Sequence, residues 1–287
     1  MDHRIPHDAP RQRLSDYART IFPHLTSGQG VRKAIKRGYI LVDGAPATTG
    51  TWTAPGMVLT WHEPDYLGKI LPLDLRVAYE DDHLAVVEKP AGLLTRGNQF
   101  RTLERALLHN LTRSPLPGSF AVPQPVHRLD LLTSGLMLIG KTYADHADLA
   151  QQFAERRVRK TYTALVHGEF PGHAVYEAPI ADRTALTEAG SVQRFQTGPE
   201  EWLSLVHLLP RTGRKHQLRI HLSAAGFPIV GDPLYCPADQ RVVRRGMFLN
   251  ATKLAFAHPR SGQPLCVEMA LPNKFLSYPR RKAERYG

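Results

Sequence analysis

Apolar positions recur at helical spacing in some stretches of the chain and cluster or alternate in others. In QRLSDYARTIF, Leu14, Ala18 and Ile21 stand four and three apart, which predicts a short helix. GQGVRKAIKRG predicts a second helix ended by Gly38, with Val31 and Ile35 inward and Arg32, Lys33, Lys36 and Arg37 on the opposite side. YILVDGAPA reads as a strand entering an Asp-Gly turn, and MVLTW as the return strand after Pro55 and Gly56. EPDYLGKILPLDL carries Pro and Gly without periodicity and reads as a linker.

From Arg76 onward the pattern changes to strands interrupted by loops. VAYEDDHLAVVEKP predicts two strands around an Asp81-Asp82 turn, and LMLIG a buried strand. Leu103 with Leu107, and Leu149 with Phe153, mark two helices. KTYTALVHG and EWLSLVHLL read as strands. GRKHQLRIHLSAAG predicts a helix closed by Gly226, with Leu218, Leu222 and Ala225 on one face. YPRRKAERYG is basic and reads as a mobile tail. Strands outnumber helices and do not alternate regularly with them, which points to an α+β body with a mixed or mainly antiparallel sheet. The expected organisation is an N-terminal tail at 1–11, a small α/β module at 12–62, a linker at 63–75, a body at 76–272 and a basic C-terminal tail at 273–287.

Composition adds a partner class. The 287 residues, 42% hydrophobic, suffice for one large core with a small satellite domain. No apolar run reaches membrane-spanning length, and MDHRIPHDAP lacks a basic segment leading into a greasy one. The expected location is therefore cytoplasmic. Lys and Arg number 37 against 26 Asp and Glu, a net charge of +11 that favours polyanions such as nucleic acid. Cys236 and Cys266 form neither a disulfide framework nor part of a Cys/His cluster, so a reducing compartment and no structural zinc are expected.

Three distant segments carry candidate chemistry: Arg128 and Asp130 in PVHRLDLLTSG, Lys160 with Tyr162, and Arg214, Lys215, His216 and Arg219. Each has an ordinary alternative. Asp130 could cap the TSG turn, Tyr162 could be a packed strand aromatic, and Arg219 could lie on a helix surface. The chain has no G-x-S-x-G elbow, H-E-x-x-H zinc helix or Walker loop. His207, His216 and His221 make a poor metal set, because a spacing of five does not share a helix face.

His127-Arg128-Leu129-Asp130 followed by TSGLMLIGK resembles the catalytic motif of the large-subunit-type RNA pseudouridine synthases that carry HRLD. EKPAGLL, KTYTALVHG, GRKHQLRIHLSAAGFPIVGDPLY and LAFAHPRSG extend the resemblance, in order, over most of residues 76–270. The first module resembles an S4 RNA-binding domain through QRLSDYA, VRKAIKRGYILVDG and MVLTW. The usual SR dipeptide is replaced by GQG at 28–30, a lysine after HRLD by Leu131, and a histidine after KPAGL by Arg96.

The resemblance implies isomerisation of specific uridines in structured RNA, ribosomal RNA before transfer RNA. Asp130 would be the catalytic carboxylate, attacking C1′ or taking the C2′ proton, and the donor fork of Arg219 would hold it anionic and aimed at the sugar. Tyr162 would stack on the base, and its phenol could also help remove the C5 proton. Arg32, Lys33, Lys36, Arg37, Lys89, His127, Arg128, Lys160, Arg214 and Lys215 would grip the RNA. Substrate and product have the same atoms, so the reaction calls for no cofactor and no metal. No obligate protein partner and no membrane contact is implied. The rival readings are a noncatalytic RNA-binding or ribosome-assembly protein on the same fold, and a different base-modifying enzyme acting on DNA.

Overall fold

The computed structural model describes residues 2–22, 25, 27–62, 70–240 and 246–285. An N-terminal unit comprises strand β1 (Asp2–Arg4), helices α1 (Leu14–Ile21) and α2 (Gly28–Lys36), and strands β2 (Ile40–Val42), β3 (Ala45–Pro46) and β4 (Val58–Trp61). Its four strands pair antiparallel in the order β1-β4-β2-β3. The helices lay Leu14, Ala18, Val31 and Ile35 into a core with Ile40 and Leu59. Ser27 caps α2 by accepting a hydrogen bond from the Gly30 amide, at 3.1 Å.

The expected tail at 1–11 is not free. Residues 2–4 pair with Val58–Thr60, and Ile5 is buried in the unit's core. An isolated strand signal of three residues, DHR, carries no apolar alternation, so only its partner strand reveals it.

The body holds β5 (Val77–Glu80), β6 (Leu84–Lys89), α3 (Leu103–Asn110), β7 (Ser119–Pro125), β8 (Ser134–Thr142), α4 (Tyr143–Ala154) and β9 (Arg159–His167). It continues through β10 (His173–Tyr176), β11 (Thr187–Gln196), β12 (Trp202–Pro210), α5 (Gln217–Ala224), β13 (Leu249–Ala257), β14 (Pro264–Glu268) and α6 (Lys274–Glu284). The main path of its sheet runs β10-β11-β12-β9-β13-β8-β6-β5, with β14 beside β13 and β7 beside β8. Every pairing is antiparallel except β13 with β8. The mixed, mainly antiparallel sheet expected from the sequence is the one observed.

The parallel contact matters for the site. Gly135 lies opposite Ala251 with φ +119°, and an added Cβ would fall 2.4 Å from the Ala251 backbone. Only glycine fits there. Ala251 also pairs with Tyr162 on β9, so the segment leading into β8 is brought against that strand.

Two other expectations need correction. Residues 63–69 of the expected linker lie outside the described residues, but Leu71 and Leu75 of the remainder are buried in the core formed with α3. The C-terminal segment is a helix rather than a mobile tail: Phe275, fully buried, packs on Phe248 at 5.4 Å between centroids, and Lys282 reaches Glu201 at 2.7 Å. Burying one phenylalanine contributes about 2–3 kcal/mol, enough to anchor a basic helix whose other face is solvated. Among the described residues no helix is long and apolar enough to cross a membrane.

Candidate active site

The loop between β7 and β8 is held at alternate residues. Nε2 of His127 accepts the Leu138 amide at 3.0 Å. Leu129 is buried, and its amide and carbonyl both meet the Thr95 hydroxyl, at 3.4 and 3.3 Å. The Leu131 carbonyl accepts the Gly92 amide at 2.8 Å and Nζ of Lys89 at 3.3 Å. The Thr133 amide closes the turn on the Asp130 carbonyl at 3.1 Å. Turn closure thus falls to the Asp130 backbone, not its side chain. Arg128 and Asp130, between the held positions, are left facing outward.

Asp130 lines a cleft of about 900 Å³ with Tyr162, His216, Arg219 and Lys160. Its side chain is 21% exposed, with Nη1 of Arg219 3.6 Å and Nε2 of His216 3.8 Å from Oδ2. Both are ion-pair distances, longer than hydrogen bonds.

The fork of Arg219 is directed elsewhere. Nε and Nη2 donate to the two carboxylate oxygens of Asp232, at 2.6 and 2.8 Å, and Tyr235 lies 4.9 Å from the guanidinium. The expectation that this fork would grip Asp130 is therefore corrected. Asp232 takes the Nε and Nη2 edge of the guanidinium, and Nη1 is the nitrogen turned toward Asp130. Arg219 is 4% exposed and the Asp232 side chain is fully buried. Oδ1 of Asp232 also accepts the amides of Leu234 and Tyr235, at 2.9 and 3.1 Å. Burial alone would raise the Asp232 pKa, but Arg219 and these amides prevail and hold it below the ordinary carboxylate range. Gly231, with φ +76°, makes the turn that admits this loop; an added Cβ there would meet the Gly246 carbonyl oxygen at 2.1 Å.

Tyr162 is half-buried and packs against the cores on both sides of the cleft. Burial, then the charge of Asp130, push its phenol well above the ordinary tyrosine value. It is thus a neutral aromatic near pH 7, suited to stacking and unsuited to proton removal as a phenolate.

The expected RNA contacts divide. Arg32, Lys33, Lys36 and Arg37 are exposed, as are Arg128 and Lys215. Lys160, Arg214 and Lys215 line the cleft with Arg128, and Nε of Arg214 donates to the Thr184 carbonyl at 2.9 Å. Lys89 is a correction: 1% exposed, its Nζ donates to the carbonyls of Pro90, Leu93 and Leu131. Burial lowers its pKa to about 8, with Asp130 acting in the opposite sense. Lys89 supports the loop and cannot reach a phosphate from there.

His127 is a second correction. Its Nε2 is engaged by the Leu138 amide and its ring stacks on Phe153 at 4.6 Å. Burial, assisted by Lys160, pushes its pKa down to about 3, so the ring is neutral and structural. Asp232 and Tyr235 were not anticipated. Their signal is the segment GDPLY, in which an acid follows a glycine turn 13 residues beyond Arg219. Among the described residues no group of three or more His, Cys, Asp or Glu side chains is placed to hold a metal ion.

Residues 83–224 match the family model described as RNA pseudouridylate synthase. The chain is 33% identical to the uncharacterized RNA pseudouridine synthase YlyB of Bacillus subtilis, across 84% of this chain and 85% of that one. It is also 33% identical to ribosomal large subunit pseudouridine synthase D of Pseudomonas aeruginosa, across 95% and 92%. The solved structure of human RNA pseudouridylate synthase domain containing 1 superposes with a TM-score of 0.58 at 27% identity, covering 74% of this chain and 89% of the human one. The chain belongs to the RNA pseudouridine synthase family and is an enzyme that isomerises uridine in RNA.

Proposed function

We propose that this enzyme converts specific uridines of ribosomal RNA to pseudouridine in the cytoplasm, with Asp130 as the group that acts on the ribose. The observation that carries the reading is the carboxylate of Asp130, aimed into the cleft by a loop held on both sides of it, with one Arg219 nitrogen 3.6 Å away.

The bond from ribose C1′ to uracil N1 breaks, the base turns, and C5 bonds to C1′. C5 loses a hydrogen and N1 gains one. Asp130 either attacks C1′, forming an ester that C5 later displaces, or removes the C2′ proton to give a glycal; both uses need a carboxylate aimed at the sugar. Arg219 favours the charged carboxylate without hydrogen-bonding to it, Nη1 standing 3.6 Å from Oδ2. A carboxylate left half-coordinated retains a lone pair for the sugar. Tyr162 offers a face on which the detached base can stack while it turns. The uridine must leave its helix to reach Asp130, and Arg128 stands beside the acid to contact the phosphate or fill the vacated space.

The first 62 residues act as an S4-like RNA-binding module, with Arg32, Lys33, Lys36 and Arg37 on phosphate and the body from residue 70 onward carrying the chemistry. The large-subunit enzyme of Pseudomonas aeruginosa, similar over nearly the whole chain, supports the ribosomal assignment. The test is a transcriptome-wide map of pseudouridine in cells with and without the protein, followed by conversion of the missing site by purified enzyme. Loss of ribosomal positions is expected. Loss confined to transfer RNA would move the target class.

A further inference from the structure

The isomerisation leaves one proton without an obvious acceptor. After C5 has bonded to C1′, the hydrogen on C5 must depart so that its electron pair restores the C5–C6 double bond and N1 takes up a proton. Few groups lining the cleft can accept it. The Tyr162 phenol is neutral, for the reasons given above. The Nε2 lone pair of His127 is occupied by the Leu138 amide. Arg128, Arg156, Arg159, Arg211 and Arg214 carry no lone pair for a proton. Lys160 and Lys215 also line the cleft and are assigned above to the RNA backbone, which leaves Asp130 and His216.

His216 is built into position. It precedes α5 with φ +56°, a left-handed conformation uncommon for a residue with a side chain. Nδ1 lies 2.9 Å from the Tyr235 hydroxyl, and the two rings meet edge to face at 5.7 Å. With the ring proton on Nδ1 and donated to that hydroxyl, Nε2 presents its lone pair to the cleft, 3.8 Å from Oδ2 of Asp130. The charged and titratable groups around it are Asp130 on the facing loop, Lys215 and Arg219 beside it in the chain, and Asp232 and Tyr235 across the helix. Burial, against the pull of Asp130, keeps the imidazole below its ordinary pKa and therefore unprotonated near neutral pH.

Resting on the proposed reaction at Asp130, we propose that His216 is a second catalytic residue, whose Nε2 takes the proton from C5 of the rotated base. The step balances. The C5–H pair becomes the C5–C6 π bond, the N1–C6 π pair moves to N1, and His216 becomes imidazolium until it returns a proton to N1 or to solvent. The positive ring then stands beside the Asp130 carboxylate, free again because C5 has displaced it from C1′. The step is the same if the glycal route operates, so the proposal does not depend on that choice.

The test uses full-length His216→Asn and His216→Gly, since Asn and Gly both accept the left-handed backbone. Bulk RNA tritiated at uridine C5, from cells lacking the protein, serves as substrate, so the outcome does not depend on which RNA class is the target. Tritium release at saturating enzyme is expected to fall about 10²-fold or more in His216→Asn, with RNA affinity retained. Deuterium at C5 should slow that variant and leave the parent unaffected. Added imidazole should restore release in His216→Gly as its unprotonated fraction rises. Release at the parental rate, or a loss with neither a C5 isotope effect nor imidazole rescue, would overturn the proposal and leave Asp130 as acceptor. Asp130→Asn assayed in parallel reports on the proposed reaction itself: if it keeps parental activity, that reading fails first.

Discussion

Arg32, Lys33 and Lys36 stand on the exposed face of α2 and Arg37 just past its end, whereas Arg219 is buried with its Nε and Nη2 on Asp232 and one nitrogen toward Asp130. The same kind of charge does different work in the two places. In water a cation is free to move and is screened beyond roughly 8–10 Å, so it contributes affinity that falls with salt and fixes no geometry. Buried between two carboxylates, a guanidinium has one low-energy arrangement, and removing a partner leaves an uncompensated charge. Chemistry that requires a carboxylate aimed at one sugar carbon belongs in the second setting. Gathering a long polyanion belongs in the first.

The largest effect expected from breaking this division is at Asp130. Asp130→Asn keeps the shape and removes the charge, and single-turnover conversion should fall by about 10³-fold or more with the fold intact.

Asp232→Asn comes next, and it attacks the buried side of the comparison through stability. Leaving Arg219 without its bidentate partner should cost about 3–5 kcal/mol, read as a lowered melting temperature. The pH dependence has a definite sign. Because the folded pKa of Asp232 lies below its unfolded value, its contribution is present above the ordinary aspartate range and is lost as pH falls through the folded pKa. The parent should lose that increment on acidification and the variant should not. An unchanged melting temperature would mean that Arg219 finds an equivalent partner, and Asp130 is the one within reach.

The smallest effect on chemistry is expected on the exposed side. Changing Arg32, Lys33, Lys36 and Arg37 to Ala should weaken RNA binding, most at low salt. Up to four phosphate contacts would be lost, each worth about 0.7–0.9 of the slope of log affinity against log salt. The bound-state rate should not change. An unaltered affinity and slope would return this helix face to a merely solvated one.

The sequence is most legible where a periodic apolar face meets a single environment. α2 is readable from Val31 and Ile35, because it buries one stripe and solvates the other, and α5 is readable from Leu218 and Leu222 although Gln217, Arg219 and His221 are buried beside them. β7 was missed because Pro123 and Pro125 read as loop, and the strand tolerates them on β8 beside a register shift. β11 was missed because exposed Gln193 and Arg194 follow a bulge that disrupts its alternation. In the site, Asp130, Tyr162 and Arg219 could be nominated together, and the structure brings all three to one cleft. Their division of contacts could not. Nothing in the spacing of Arg219 and Asp232 shows that a turn at Gly231 folds one onto the other. Nor does EKPAGLL show whether Lys89 reaches water or three carbonyls, because depth in a core is a property of what packs above it.

The division between the two regions is tested most directly on one RNA substrate, measuring bound fraction and conversion together for the parent, Asp130→Asn and the fourfold α2 variant across a range of salt. The account predicts a crossing pattern. Asp130→Asn binds with the parental affinity and salt slope and forms no pseudouridine, while the α2 variant binds more weakly with a shallower slope and converts at the parental rate once saturated. A folded Asp130→Asn that converts uridine at the parental rate, or an α2 variant that fails to convert at full occupancy, would contradict it.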